Sequence, residues 1–402
     1  MQDKDTNSHP QPSSKSPRLH YLDWLRLLAT LGVFLYHAAR PFDLQDYMIK
    51  NPERSAAVTV FFVIFLGSWG MPLFFLMAGA SSLFSLRRRT GRQFARERVR
   101  RLVIPFIVGS ILLTPIQIYL SCLHKGSYEG PFLAFIPQFI ESLPGPALSE
   151  LFNPGIFISY GIHLWFLGFL FSFSLIALPV FLWLKKEAGK RFISRLVAFS
   201  EKRGGLLIFI IPVMLVRLIL QPLYPEYTSW SDFTYFLVFF VYGYVLYADE
   251  RFVRVIKRDW LLLLSVGILS TIAIFTAVAA GAGMEWYSNP SIPGFYIAWS
   301  LISVNAWCWV IAALYVGSRI LDFRNNVLEY GQEAILPFYV FHQPIIFVIV
   351  FYVVQWDAGI MVKLSLVILS AFVITGALHE FLIKRIAPLR IIFGMKPKTT
   401  TA

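Results

Sequence analysis

The chain alternates between apolar stretches of about 20 residues and short polar connections. That is the length of helix that crosses a bilayer, and no other feature restricts the fold as strongly. Ten stretches are readable, at about 20–40, 57–84, 102–123, 161–184, 204–222, 233–248, 260–281, 295–317, 335–355 and 360–383. Composition agrees: 57% of residues are hydrophobic and 15% charged, too few charges to cover a soluble surface. The 38 phenylalanines, 18 tyrosines and 11 tryptophans suit lipid-facing and interfacial positions. The expected fold class is all-α, a polytopic membrane protein of about ten transmembrane helices.

The formal net charge of +13 is concentrated in a few connections. Residues 87–101, RRRTGRQFARERVRR, hold eight arginines and one glutamate, and 185–203 hold seven Lys or Arg and two Glu. Connections rich in Lys and Arg stay on the cytoplasmic side. With ten spans both termini are then cytoplasmic, and the basic charge reads as topology, not as a nucleic-acid footprint. The 124–160 connection, nearly free of Lys and Arg, faces outside. Residues 1–17 read as a disordered cytoplasmic tail, 18–392 as one membrane domain and 393–402 as a second cytoplasmic tail. The first apolar run starts late and lacks a small-x-small cleavage site, so it is expected to stay in the membrane. Cys122 and Cys308 show no metal-ligand spacing, and no metal or tightly bound cofactor is expected.

The first span, RLHYLDWLRLLATLGVFLYHAARPFD, carries Asp23, Arg26 and His37. A charge at a span's centre costs about 2.5–3.5 kcal/mol on insertion scales, so such residues mark function by default. Eleven steps of about 100° bring His37 to within about 20° of the face of Arg26, about 16 Å along the axis. Asp23, three residues before Arg26, lies beside it. Arg26 falls at the cytoplasmic end, on the same side as the arginine-rich segment. Guanidinium groups there suit a cytoplasmic polyanion such as a phosphate ester. His37 lies toward the outer end, where a neutral imidazole serves as a general base for a hydroxyl group. The span offers no adjacent nucleophile, which points to direct transfer without a covalent enzyme intermediate. The plainer alternatives are that the arginines only set topology and that His37 caps a helix or meets headgroups.

Other polar residues are weighed singly. His342 lies between Pro337 and Pro344, where freed backbone groups suit a cavity. His163, with Trp165 close by, opens the fourth span, and either substrate contact or an interfacial role fits. Arg217, Asn305 and Gln343 are cavity candidates or interhelical hydrogen-bonding residues. Lys363 is expected to snorkel outward, and His379 and Glu380 to mark an inner helix end.

Five segments together resemble the acyltransferase 3 membrane proteins, which O-acylate extracytoplasmic carbohydrates: YLDWLRLLATLGVFLYHAARPF at 21–42, PLFFLMAGASSLFSL at 72–86, RERVRRLVIPF at 96–106, HLWFLGFL at 163–170 and YGQEAILPFYVFHQPII at 330–346. The specific parts are the Arg-x10-His spacing of Arg26 and His37 and the R-x-x-R of Arg98 and Arg101. The resemblance implies acyl-CoA as a cytoplasmic donor and an extracytoplasmic glycan as acceptor. It implies His37 and Arg26 as catalytic residues, with Arg98 and Arg101 contacting the CoA phosphates. Asp23, His163, Trp165 and His342 are then substrate-binding candidates. Within the family the chain is most similar to the branch that succinylates periplasmic glucans, so acetyl and succinyl are the acyl groups to consider. A bacterial inner membrane is implied. Some relatives carry a fused hydrolase-like domain; here a separate extracytoplasmic enzyme would have to complete any second step. The rival readings are a multi-pass transporter of a glycan or small anionic solute, and a non-enzymatic assembly component. A transporter commonly shows an internal repeat, which this chain does not display.

Overall fold

The computed structural model describes residues 19–145, 152–283 and 285–395. The tail expected over 1–17, and residues 396–402 of the second tail, lie outside them. The described residues form helices and connections with no strand. Eight helices are long and apolar enough to cross a membrane, which makes the chain a multi-pass membrane protein. In chain order the principal helices are α1 His20–Ala39, α2 Ala56–Leu86, α3 Gly91–Lys125, α4 Phe132–Ser142, α5 Ile156–Ile176, α6 Leu178–Leu184, α7 Glu187–Ser200, α8 Gly205–Leu220, α9 Trp230–Ala248, α10 Glu250–Ala279, α11 Glu285–Ser288, α12 Pro293–Ile320, α13 Asn326–Val353, α14 Ile360–Ile383 and α15 Ala387–Ile392. The eight are α2, α3, α5, α9, α10, α12, α13 and α14.

The two expected spans outside that set differ for physical reasons. α1 has the length, but Asp23, Arg26 and His37 lower its apolarity. α8 is apolar but short.

Three connections turned out to be helical. Of the arginine-rich stretch, expected as a loop before a helix at 102, only 87–90 form a turn and residues 91–101 are the first part of α3. Thr90 starts it with a capping box, its hydroxyl accepting from the Gln93 amide at 3.3 Å while the Gln93 side chain accepts from the Thr90 amide at 3.0 Å. Val99–Val103 is a π-helical turn that carries Arg100 and Arg101. The basic 185–203 connection contains α7, which buries Gly189, Ile193, Val197 and Ser200 along one stripe and exposes Lys190, Arg191 and Arg195. The basic residues before the seventh span belong to the first turns of α10, where Asp249 accepts from the Arg251 amide at 2.9 Å.

Lipid gives helices no hydrophobic reason to associate, so close approach and polar contacts hold them together. α2 and α9 cross at Gly79 and Gly243. A side-chain carbon at Gly79 would fall 1.8 Å from the Phe240 carbonyl oxygen, and one at Gly243 would fall 1.8 Å from that of Leu76. α1 settles the same way against α12 at Gly317, beneath Leu25, and against α13 at Gly331, beneath Leu27. Its other half, with Phe42 of the 3-10 turn that follows, joins Phe34 and Ala38 to Phe347, Val350 and Val367 of α13 and α14. The packing thus seats α1 among α2, α12, α13 and α14.

Candidate active site

The polar face of α1 meets a different set of side chains at each end. At the His37 end three imidazoles converge from three helices. Ring centres are 5.4 Å apart for His37 and His342, 5.4 Å for His163 and His342, and 6.5 Å for His37 and His163. His342 Nδ1 lies 2.6 Å from the Tyr339 carbonyl oxygen, and His163 Nε2 lies 3.0 Å from that of Val340. A carbonyl only accepts, so these nitrogens carry the protons. The other nitrogens, His342 Nε2 and His163 Nδ1, are then bare lone pairs. Both are buried without a hydrogen-bond partner, and so is His37 Nδ1. Buried polar atoms normally find partners, so three orphans in one cluster point to a place where reacting groups enter.

Local backbone explains how His163 gets there. α5 is interrupted by a 3-10 turn at Ile162–Leu164, and Ile162 adopts φ 47°. A β-branched residue is rarely found there, at a cost of about 1–3 kcal/mol, and such strain gathers at active sites. The Tyr339 hydroxyl donates to the His163 carbonyl and ties the turn to α13.

At the Arg26 end, Arg26 Nη1 lies 3.2 Å from Asp23 Oδ1 and Nη2 donates to Ser81 Oγ at 2.6 Å. Arg98 Nη2 donates to the neighbouring Ser82 Oγ at 3.0 Å, and its guanidinium stacks on Phe94 at 4.7 Å. Each serine gives its own proton to α2, to Met77 and Ala78 respectively, which leaves its lone pairs for the arginines. Arg98 Nε is buried without a partner. Arg89 and Arg101 share Glu97, at 2.7 and 3.6 Å. Among the described residues four guanidiniums, of Arg26, Arg89, Arg98 and Arg101, face the carboxylates of Asp23 and Glu97, a positive excess suited to a polyanion. The serine pair was not singled out in the sequence; small residues inside an apolar span carry no signal until arginines reach them.

The structure assigns other roles to several candidates. Trp165 is not in the histidine cluster: its indole packs among Phe75, Phe169, Phe236 and Tyr227. Arg217 is engaged by Asp232 at 2.7 Å, donates to Gln221 and Ser231, and lies over the Tyr235 and Trp299 rings. It therefore offers no spare cation for a carboxylated acyl group. Asn305 links α2, α10 and α12 through Ser68, Ser270 and Thr271. Gln343 is buried with its Oε1 unpartnered, as a cavity residue would be. Lys363 does not snorkel: it is buried, and donates to Asn51 Oδ1 at 2.9 Å and the Val354 carbonyl at 3.3 Å. The reason is a connection after α1 that folds over it and supplies oxygen at no cost of reach. Glu380 pairs with Lys384 at 2.9 Å at the end of α14, as expected for a helix end. Among the described residues no group of three or more His, Cys, Asp or Glu is placed to hold a metal ion.

Comparison with known proteins decides the family. The acyltransferase 3 family, described as an acyltransferase domain, matches residues 19–379. The chain belongs to this family. Glucans biosynthesis protein C of Salmonella paratyphi A, Salmonella agona and Salmonella dublin is in each case 23% identical over 397 residues, covering 96% of this chain and 97% of the relative. No solved structure matches. Family membership makes the protein a membrane acyltransferase, and α1, with both polar ends, lies inside the matched region.

Proposed function

We propose that the protein transfers an acyl group from cytoplasmic acyl-CoA to a hydroxyl of an extracytoplasmic carbohydrate, with His37 as general base. One observation carries the reading: a single helix face joins an arginine patch to a cluster of buried imidazole lone pairs about 16 Å away. The CoA phosphates bind Arg26, Arg98 and Arg101, and the pantetheine arm runs along α1 to the histidines. A His37 ring nitrogen takes the acceptor's hydroxyl proton. The oxygen bonds to the thioester carbon, the carbon–sulfur bond breaks, and the proton passes to the departing sulfur. His163 and His342, oriented by α13 carbonyls, position His37 and the acceptor; Asp23 orients Arg26. In this reading α1 and α8 also cross, both termini are cytoplasmic, the arginine patch meets the donor and the His37 end meets the acceptor.

A glucan is the first acceptor class to test, because the relatives are named for glucans biosynthesis. The experiment compares mass spectra of extracytoplasmic glycans from a deletion strain, the same strain restored with the native gene, and one restored with His37→Ala. The expected result is a fixed increment only with the native gene, its size distinguishing acetyl from succinyl. General-base catalysis contributes about 10²–10⁴-fold, so His37→Ala is expected to leave no detectable product. An increment that persists in His37→Ala removes His37 from the chemistry. Identical spectra in all three strains, with the proteins present in the membrane, remove the acyl-transfer reading for glycans.

A further inference from the structure

One stripe of α3 is polar where lipid and packing call for apolar residues. Ser110, Thr114, Gln117, Ser121 and His124 recur at intervals of four, three, four and three, which keeps them on one helix face. Ser110 Oγ, Thr114 Oγ1 and Gln117 Oε1 are buried without a partner. Thr114 and Gln117 have no exposure at all, and Ser110 only 8%. Elsewhere in this protein buried helical hydroxyls settle on their own backbone: Thr30, Ser174, Ser303 and Thr375 each donate to the carbonyl four residues back. Ser110 and Thr114 do not.

The stripe leads to the histidines. Ser110 Oγ faces Gly161, where a side-chain carbon would lie 3.1 Å from it. A side-chain carbon at the adjacent Gly109 would touch Leu164 at 2.6 Å and Val340 at 3.6 Å, the residue whose carbonyl holds His163. At its other end the stripe docks on the connection after α1. Ser121 Oγ donates to the Met48 carbonyl at 3.0 Å, and His124 Nε2 accepts from the Lys50 amide at 3.2 Å. From Ser110 to Gln117 it rises about 10 Å without a charge.

We propose that Ser110, Thr114 and Gln117 form the acceptor subsite, taking hydroxyl groups of a neutral saccharide while one hydroxyl reaches His37. This rests on the acyl-transfer reading above. The two hydroxyls donate and accept without charge, as those of a sugar do, and Gln117, whose Nε2 donates to the Leu113 carbonyl at 3.3 Å, offers its Oε1 as an acceptor. Orphaned buried groups cost about 1–3 kcal/mol each, a cost relieved when such a ligand enters.

The test uses the full-length protein with Cys122→Ala and Cys308→Ala. Gln117→Cys, and Leu112→Cys on the exposed face of α3, are treated from outside with a charged methanethiosulfonate, with and without neutral gluco-oligosaccharides of defined length. The proposal expects Gln117→Cys to react at least about tenfold faster, and to be protected by the saccharide, a difference of about 1.4 kcal/mol. In proteoliposomes Thr114→Val and Gln117→Leu raise the KM for the oligosaccharide about tenfold while the KM for acyl-CoA stays within about twofold. Equal labelling without protection, or unchanged saccharide KM in both variants, overturns the subsite. Protection without any acyl transfer by the native protein supports the saccharide site and overturns the transfer reading instead. Loss of fold is excluded by the isosteric Thr114→Val, which removes an orphaned hydroxyl and is expected to unfold no earlier than native protein.

Discussion

Arg26 has two duties that substitution can separate. Its charge pairs with Asp23 on α1, and its position holds one side of the serine pair. The two side chains are 31% and 14% exposed and neither depends on the other alone, so breaking the pair is expected to cost about 1 kcal/mol or less, and removing both to be nearly neutral. Arg26→Ala is therefore expected to lower thermal stability in detergent, and Asp23→Ala with Arg26→Ala to recover most of the loss. Acyl-CoA affinity is expected to fall in both, because only the arginine serves the donor. Recovery of donor affinity in the double variant would leave Arg26 a purely structural residue. The pairing of Asp23 and Arg26 was legible from a spacing of three. The convergence of His37 with His163 and His342 was not, since these residues lie far apart in sequence and meet only through the glycine-mediated seating of α1 and the broken turn at Ile162. Arg217, which in sequence fitted either a cavity or an interhelical contact, takes the second role, and its buried partner Asp232 belongs to the first turn of α9, whose expected start fell one residue later.

At the scale of elements, the α2–α9 crossing holds the helix that presents Ser81 and Ser82. Gly243→Ala would push a carbon to 1.8 Å from the Leu76 carbonyl, which backbone cannot yield without parting the helices. Overpacking of this kind costs about 1–3 kcal/mol or more. Gly70→Ala in α2 meets nothing within 4 Å, and by helix propensity gains about 1 kcal/mol. The two variants should shift the unfolding temperature in opposite directions; equal shifts would mean that the crossing is looser than described. The existence of the apolar helices was readable from their length, yet the starts of α3 and α10 and the whole of α7 were missed. Their first turns are basic, and basic residues register as connections in a hydropathy reading. The signals that would have found them are local: Thr90 with Gln93 as a capping box, Asp249 before α10, and the buried stripe of α7.

For the whole molecule, sidedness turns on α8. Its 16 residues, of which Gly205–Phe209 are 3-10, span about 26 Å, short of a hydrocarbon core of about 30 Å. Yet α7, before it, is basic on its exposed face, and the segment after it holds Glu226 and Asp232 without Lys or Arg until Arg251. That asymmetry favours a crossing with local thinning of the bilayer, at a cost of fractions of a kcal/mol per ångström. With Cys122 and Cys308 replaced, Glu226→Cys is expected to react with an impermeant maleimide in intact cells, and Lys202→Cys only after permeabilisation. If both react from the same side, α8 re-enters without crossing. Every helix after it would then reverse relative to α1, which the parallel packing of α13 on α1, Leu27 against Gly331 and His37 against His342, allows only if a second element between them also fails to cross. The contacts of α1 with α13 fix the relative direction of the two helices but not their side, so this pair of labels decides which end of α1, the Arg26 end or the His37 end, faces the cytoplasm.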